Sequence, residues 1–189
     1  MADTGAKHVV AIVGGATSGA EAAAVLAGKG VTVVVFDMNS RPYGKIEDGL
    51  PRWHAKQRRD EYANIGEKMK KPGVHFVPNT KLGRDVQLTD LAKSWGFSAV
   101  LLANGAWKDR PLLPGVESYV GKGLVYQNPL VYWFNHSNEK GYRGERYDIP
   151  EGAIIVGGGL ASFDVVKICM IETVTRALHK RGIEAHMHD

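Results

Sequence analysis

The sequence predicts an α/β protein built on a parallel sheet, and three observations lead to this fold class. Apolar runs such as residues 8–13, which have the pattern of strands buried on both faces, alternate with segments typical of helices. The first run, a helix and a second run fit within 37 residues, a spacing that favours a parallel, right-handed βαβ unit. A strand, a glycine-rich turn and a helix then recur 143 residues later (157 minus 14). This repeat predicts a second unit of the same kind.

The first 105 residues carry signals for four strands and three helices. An alanine-rich segment from about Ser18 ends near Gly28 and Gly30, as helices commonly end at glycine. Residues 38–54 are rich in glycine and proline and predict a loop. In chain order, we expect a strand at 8–13, a helix at 18–29, a strand at 31–37, a helix at 55–71 with Tyr62, Ile65 and Met69 on one face, a strand at 74–80, a short helix at 88–96 and a strand at 97–105.

The second half of the chain begins the pattern again. Residues 106–150 are expected to be mostly irregular, and the apolar run at 153–156 predicts a strand. A helix is then expected to run to about Arg181, capped by Gly182, and another strand to start within residues 183–189. Every fourth residue of that helix is apolar, so the sequence predicts one buried stripe and places Cys169 in the core: the stripe is Val166, Met170, Val174 and Leu178.

Composition excludes several classes of protein. With 189 residues, of which 44% are hydrophobic, the chain can bury a sizeable core. Its single cysteine, Cys169, can form neither an internal disulfide nor a Cys-x-x-Cys redox pair, and it cannot build a cysteine zinc cluster, so we expect no metal site. The apolar runs fall short of the roughly 20 residues that span a bilayer, and the N-terminus lacks the pattern of a signal peptide. We therefore expect a cytoplasmic protein without membrane association.

The net charge of +4 is concentrated in residues 52–71, which hold seven Lys or Arg against three Asp or Glu. One interpretation is a solvated helix face, and the other is a docking patch for an acidic partner. Nucleic-acid binding is not supported, because the basic residues alternate with acids and line no aromatic platform.

The first glycine turn has the pattern of a dinucleotide site. A pyrophosphate must approach the backbone closely, and the helix that follows presents free amide groups and the positive end of its dipole. Gly14 is expected to make the turn and Gly19 to let helix and strand pack closely, while Ala16 stands where a second glycine is usual. Asp37 lies 23 residues past Gly14, at the end of the second strand, where a carboxylate can accept both ribose hydroxyls.

The second glycine turn follows the predicted strand at 153–156. Gly157 and Gly159 fit the first two glycine positions, and Ser162 stands at the third. A small residue other than glycine at that position hints at a phosphorylated nicotinamide cofactor. Two such turns on one chain imply two dinucleotides, which points to FAD together with NADP or NAD.

The chain resembles the two-dinucleotide flavoprotein reductases, and within them the adrenodoxin-reductase type of ferredoxin-NADP reductase. The stretches that carry this resemblance are GGATSGAEAA, RPYGKIEDGLPRWH, NTKLGRD, NGAWKDRPLLPG, LVYWFN and GGGLASFD, in this order over nearly the whole chain. The missing Cys-x-x-Cys pair argues against the disulfide-reducing relatives. The small subunit of glutamate synthase is also similar around YGKIEDGLP, but its cysteine-rich cluster domain has no counterpart in this sequence.

The resemblance implies a Rossmann-like FAD-binding domain at 1–105, without its return segment, and the truncated start of a Rossmann-like NAD(P)-binding domain at 106–189. It places His54 near the isoalloxazine as a proton-handling catalytic residue; the alternative is a histidine that merely caps the basic helix. The implied cofactor-binding residues are Gly14, Gly15, Ala16, Ser18 and Gly19 for the FAD pyrophosphate, Asp37 for its ribose, Gly44 and Lys45 at the flavin end, Lys81 and Leu82 at the adenine, Asn104 and Gly105 in the closing strand, and Gly157, Gly159, Leu160, Ala161, Ser162 and Asp164 for the nicotinamide cofactor.

The function implied by the resemblance is transfer of electrons from NAD(P)H through FAD to an acidic, ferredoxin-like one-electron carrier. Two alternatives stay open: an electron-input subunit of a larger enzyme, similar to the glutamate synthase small subunit, and a non-catalytic nucleotide-binding fragment. The segment looks like the N-terminal portion of such an enzyme, so we expect it to be inactive in hydride transfer by itself. The choice of coenzyme, the acceptor and the oligomeric state are left open.

Overall fold

The computed structural model describes residues 8–185, and the chain divides into two compact units between Ala106 and Trp107. Within residues 8–185, no helix combines the length and the apolar character needed to cross a membrane.

The first unit is built on the predicted parallel sheet. Its four strands are β1 (Val9–Val13), β2 (Thr32–Phe36), β3 (Val74–Val77) and β4 (Ala99–Leu102). All neighbours pair in parallel, in the order β3-β2-β1-β4, and Val13 lies opposite both Phe36 and Leu102. Because β1 lies between β2 and β4, the turn that follows β1 is flanked by the carboxyl ends of both strands.

Helices cover both faces of this sheet. They are α1 (Thr17–Gly28), a one-turn α2 (Lys45–Asp48), α3 (Ala55–Met69) and α4 (Leu88–Lys93). One core layer contains Val10, Ile12 and Val33 with Ala23 of α1, and Met69 of α3 packs against it. The other core layer contains Ala11, Val13 and Phe36 with Leu91 of α4. Residues 38–54, which were predicted to form a loop, contain the one-turn helix α2.

The second unit consists of helices and connecting segments. It contains a short 3-10 helix (Val116–Tyr119), α5 (Gln127–His136) and α6 (Leu160–His179), and α5 packs against α6. The core residues are Leu130, Val131, Trp133, Phe134, Ile149 and Ile168. Residues 106–150 are mostly irregular, as predicted, but they contain the helix α5, which was not predicted. Its Pro129 lies in the first helical turn, where the missing N–H leaves no helical hydrogen bond unmade.

The strand predicted at 153–156 does not form. Residues 153–158 have no regular structure, and Ile154 and Val156 are 88% and 66% exposed. A β-strand needs a neighbour for its backbone groups. In residues 107–185, the structure contains an isolated bridge between Val120 and Leu124 but no strand that could serve as that neighbour.

The buried stripe predicted on α6 is also wrong. Met170 is 63% exposed and Val174 56%, and Val166 is exposed as well, while the fully buried residue of this helix is Ile168. The stripe would have packed on a sheet, and without that sheet α6 turns another face to α5. Arg176 fixes the helix by donating to the carbonyl of Ile149 at 2.5 Å.

Two further predictions concern residues near the stripe and the end of the chain. Cys169, expected in the core, is half-buried. The strand expected from residue 183 is absent at 183–185, and residues 186–189 lie outside the described residues.

Candidate functional site

The glycine turn after β1 is closed by the end of β4. Gly14 has φ +98° and donates its N–H to the carbonyl of Phe36 at 2.8 Å. A β-carbon at position 14 would lie 2.7 Å from the carbonyl carbon of Ala103 and 2.9 Å from the Cα of Asn104. Both the backbone conformation and the lack of space therefore require glycine. The same contact brings Asn104, followed by Gly105 with φ +71°, beside the turn.

Gly19 allows α1 to begin directly against this turn. A β-carbon there would lie 2.9 Å from the carbonyl carbon of Gly14 and closer still to its oxygen. The neighbour is backbone, so no change of rotamer can relieve the clash. This is the close helix–strand approach that the sequence assigned to Gly19.

The N-terminus of α1 offers hydrogen-bond donors to an anion. Ala16 precedes the helix in an extended conformation and makes no side-chain cap bond, as its methyl group cannot. Ala20 donates to the carbonyl of Ala16 at 2.8 Å, whereas the amides of the preceding residues have no acceptor within the helix, as in any first turn. Thr17 and Ser18 are exposed. Amides and helix dipole together favour a phosphate at this position.

Asp37 lies beside the turn at the end of β2. It is only 6% exposed, and its Oδ2 accepts the N–H of Gly15 at 2.7 Å while Oδ1 accepts the N–H of Asn39 at 2.9 Å. Each carboxylate oxygen can accept a second hydrogen bond, so capacity for two ribose hydroxyls is left. The turn, the first turn of α1 and Asp37 thus fit the adenosine diphosphate part of a dinucleotide. We call these residues, 14–19 with Asp37, the first cradle.

The loop after β3 is tied to the first cradle through its backbone. The N–H of Thr80 donates to the carbonyl of Asp37 at 2.7 Å. The next residue, Lys81, donates its amide to the Asp85 carboxylate at 2.8 Å, and Leu82 bridges to Val86. The Arg84 guanidinium beside Asp85 holds the pKa of that carboxyl below its usual range. The loop assigned to the adenine is therefore stiffened on its own and joined to Asp37.

The segment after β2 contains Gly44 and Lys45 and passes next to the first cradle at Pro42. Gly44 is buried, has φ +49° and immediately precedes α2, whose first residue is Lys45. Sequence reasoning missed Pro42, whose Cβ lies 2.8 Å from where a β-carbon of Gly15 would be. It also missed Asn39 as the second donor to Asp37. The available signal was the turn-forming sequence NSRP at 39–42, two residues after the acid.

His54 immediately precedes α3. It occupies the N-cap position, where its carbonyl accepts the N–H of Arg58 at 2.9 Å, but its side chain makes no capping bond to the helix. The imidazole is half-buried beside the Trp53 ring, with 5.9 Å between ring centroids, and borders an open depression with Gln57 and Glu61. A catalytic role for His54 stays a prediction.

Part of the basic charge in residues 52–71 is paired within the protein. Lys56 pairs with Asp60 at 3.0 Å, and Lys70 pairs with Glu67 at 2.9 Å. Lys68 pairs with Glu21 of α1 at 2.6 Å and lowers the pKa of that carboxyl. Such pairs are typical of a solvated face, the first of the two interpretations of this segment.

The second glycine turn repeats the spacing of the first without its surroundings. Gly157 has φ +142°, and Ser162 fills the space where a β-carbon of Gly157 would be. Ser162 follows Gly157 by five residues, as Gly19 follows Gly14. Gly159 is extended and precedes α6, and Ser162 donates its N–H to the Gly159 carbonyl at 2.9 Å.

The other residues assigned to the second turn lie in the first turns of α6. Leu160 is 87% exposed, and Ala161, Ser162 and Asp164 are half-buried. The turn and the helix start that a phosphate needs are thus present. In the described chain no strand leads directly into this turn, so these residues fit a dinucleotide less well than the first cradle.

Neither unit has the side chains for a metal centre in its described part. Within residues 8–185, no three His, Cys, Asp or Glu side chains come together as ligands.

Comparison with known proteins agrees with this geometry. Residues 8–168 match the model of the pyridine nucleotide-disulphide oxidoreductase family. The chain belongs to this family. The resemblance to flavoprotein reductases drawn from the sequence is thereby confirmed, although the single cysteine leaves this member without a redox-active pair.

The relatives of this family member include glutamate synthase small chains and a mycobacterial oxidoreductase. It is 32% identical to the glutamate synthase [NADPH] small chain of Escherichia coli K12 over 87% of this chain, and 29% identical to that of Bacillus subtilis over 95%. The structure of Mycobacterium tuberculosis FprA, also solved in complex with NADPH, superposes with a TM-score of 0.60 at 26% identity over 69% of this chain. The chain spans 34% and 35% of the two small chains and 29% of FprA.

Proposed function

We propose that this chain supplies the dinucleotide-binding part of a flavin-dependent oxidoreductase that passes electrons from NAD(P)H through FAD to an acceptor. The observation that carries the proposal is the first cradle. In it, a glycine that tolerates no side chain, the free amides of a helix and a buried carboxylate converge at the carboxyl ends of parallel strands.

The residues of the first cradle bind the cofactor and orient it. Gly14 lets the pyrophosphate approach the backbone, and the first-turn amides of α1 donate to its oxygens. Asp37, held by the amides of Gly15 and Asn39, keeps its carboxylate aimed at the ribose. FAD, when bound, accepts a hydride from the reduced nicotinamide and releases electrons singly. The contribution of this chain is to hold the adenosine half in place so that the reacting ring is positioned.

We propose a ferredoxin-like one-electron carrier as the acceptor. The resemblance to the adrenodoxin-reductase type supports it, as does the excess of four positive charges in residues 52–71 (7 minus 3), which would attract an acidic carrier. The ion pairs on α3 weaken this electrostatic argument. The names of the relatives favour a second candidate, an electron-input subunit that serves one dedicated partner enzyme. Reduction of free ferredoxin by NAD(P)H supports the first candidate, and turnover only with a co-purified partner subunit supports the second.

The binding of FAD can be tested by spectroscopy on the purified chain. We expect flavin absorbance bands that survive gel filtration, and we expect Asp37→Ala to weaken FAD binding about tenfold or more while NADPH binding is unchanged. Gly14→Val should abolish flavin retention, because the new side chain meets backbone. Gly28→Ala is the control, since nothing lies within 4 Å of a β-carbon there. A parent chain that never retains FAD, or a Gly14→Val variant that retains it fully, would refute the assignment.

A further inference from the structure

The segment between β2 and α3 is fastened to α3 by two aromatic rings. Tyr43 stacks on Tyr62 of α3 with ring centroids 4.1 Å apart and planes inclined by 27°. Aromatic pairs of this kind are favourable beyond the area that they bury. The stack joins a segment of mostly irregular backbone to a rigid helix.

Two arginines bracket the stack. Arg58, one turn before Tyr62 on α3, donates to the Tyr62 hydroxyl at 3.0 Å and to the carbonyl of Leu50 at 3.0 Å. Arg41 lies 5.5 Å from the centre of the Tyr43 ring and forms an ion pair with Glu47. The segment from 41 to 50 is thus held to α3 near both of its ends.

The stack leads by direct contact to the first cradle. Pro42 adjoins Tyr43, and its Cβ lies 2.8 Å from the β-carbon position of Gly15. Met69, at the end of α3, approaches the same position to 3.3 Å. Gly15 in turn donates its N–H to Asp37 at 2.7 Å. A continuous chain of contacts therefore runs from Tyr62 to the buried carboxylate.

We propose that Tyr43 and Tyr62 are positioning residues that set the affinity of the first cradle for FAD. The stack holds Pro42 against Gly15, so the donor and the acceptor of the Gly15–Asp37 bond keep their places before the cofactor arrives. Without the stack, segment 41–50 has to be ordered on binding, and that loss of conformational freedom reduces affinity. This inference rests on the proposed function, because it presumes that the first cradle takes FAD.

The test compares FAD dissociation constants, measured by quenching of flavin fluorescence, for single and double variants. We expect Tyr62→Leu and Tyr43→Leu each to weaken FAD binding about three- to tenfold. The double variant should bind FAD no more weakly than the single variant that has the lower affinity. Tyr62→Phe keeps the ring and should stay within about twofold of the parent. The matched control is Tyr132→Leu, which removes an aromatic contact to Tyr142 within the second unit.

The thermal midpoint of the flavin-free protein separates positioning from a general loss of structure. We expect the leucine variants to lose affinity for FAD although the thermal midpoint of their flavin-free form is unchanged. Tyr62→Phe should keep the affinity of the parent. If Tyr62→Leu does not fold, Tyr43→Leu breaks the same stack from the segment before α3 and decides the question. Unchanged affinity in the leucine variants, additive losses in the double variant, or a phenylalanine variant as weak as leucine would overturn the proposal.

A parent chain that binds no FAD would overturn this proposal together with the proposed function. If instead the parent chain binds FAD and Asp37→Ala weakens that binding while the tyrosine variants do not, the positioning role alone fails.

Discussion

Replacing Gly19 by alanine tests the geometry of the first cradle most directly. The added methyl carbon would lie 2.9 Å from the carbonyl carbon of Gly14 and 3.4 Å from Cγ2 of Ile12, and closer still to the Gly14 oxygen. Because the nearest obstacle is the backbone of Gly14, which no change of rotamer can move, α1 has to move away from β1. Overpacking of this kind costs about 1–3 kcal/mol, and a contact with backbone places Gly19→Ala near the upper limit of about 3 kcal/mol.

For a chain of this size, such a loss lowers the thermal midpoint by about 6–12 °C. The change can be followed by urea unfolding and by thermal unfolding monitored through circular dichroism. The displaced amides of α1 should also weaken FAD binding, measured by flavin fluorescence. Gly28→Ala in the same helix meets nothing within 4 Å and should be neutral or stabilise by about 0.5 kcal/mol. A Gly19→Ala variant as stable as Gly28→Ala, with parental affinity for FAD, would refute the close-packing argument.

Two predictions concern the second unit. Gly157→Ala should weaken protection by NADPH against thermal unfolding, because a φ of +142° disfavours a β-carbon and the methyl group meets the Ser162 hydroxyl; adding Ser162→Gly should restore the part lost to that clash, and no recovery in the double variant would contradict the pairing. Burial raises the pKa of Glu172, with Arg176 opposing, so its contribution to stability is present below the unfolded pKa and is lost as the pH rises through the folded pKa. Glu172→Gln should therefore be more stable than the parent at neutral pH and equal to it in acid, as measured by urea unfolding across pH; a constant difference would count against the burial argument.

The first unit could be predicted from the sequence because its local and long-range signals agree. The runs that became β1 and β2 are apolar on both faces, and a parallel sheet covered by two helix layers buries both faces. The turn at Gly14 and the place of Asp37 at the end of β2 were predictable because they follow from backbone geometry and from the apolar runs that precede them. The bond between Gly15 and Asp37 was not, since it depends on how the loop around Pro42 folds over the turn.

The second unit shows where a sequence pattern is insufficient. The run at 153–156 has the composition of a buried strand, yet Ile154 is 88% exposed because pairing is a property of neighbouring strands and not of the run. Helix α5 was missed for the opposite reason. Its aromatic residues and Pro129 look unfavourable for a helix, but packing of Val131 and Phe134 against the core outweighs propensity.

Comparison of the two glycine turns distinguishes the features that the sequence motif determines from those that depend on the surrounding fold. In both turns a glycine of positive φ lies against the residue five positions later, which is Gly19 for Gly14 and Ser162 for Gly157. Both turns lead into a helix. Only the first lies between paired strands, and only there does a buried carboxylate come within reach of the turn. The motif therefore specifies the local turn and the donors for phosphate, whereas the sheet supplies the ribose acceptor and the rigidity. By this reasoning the FAD contacts that we propose for this chain lie in the first unit, and we expect tight binding of a nicotinamide cofactor to require that segment 153–156 is paired as a strand.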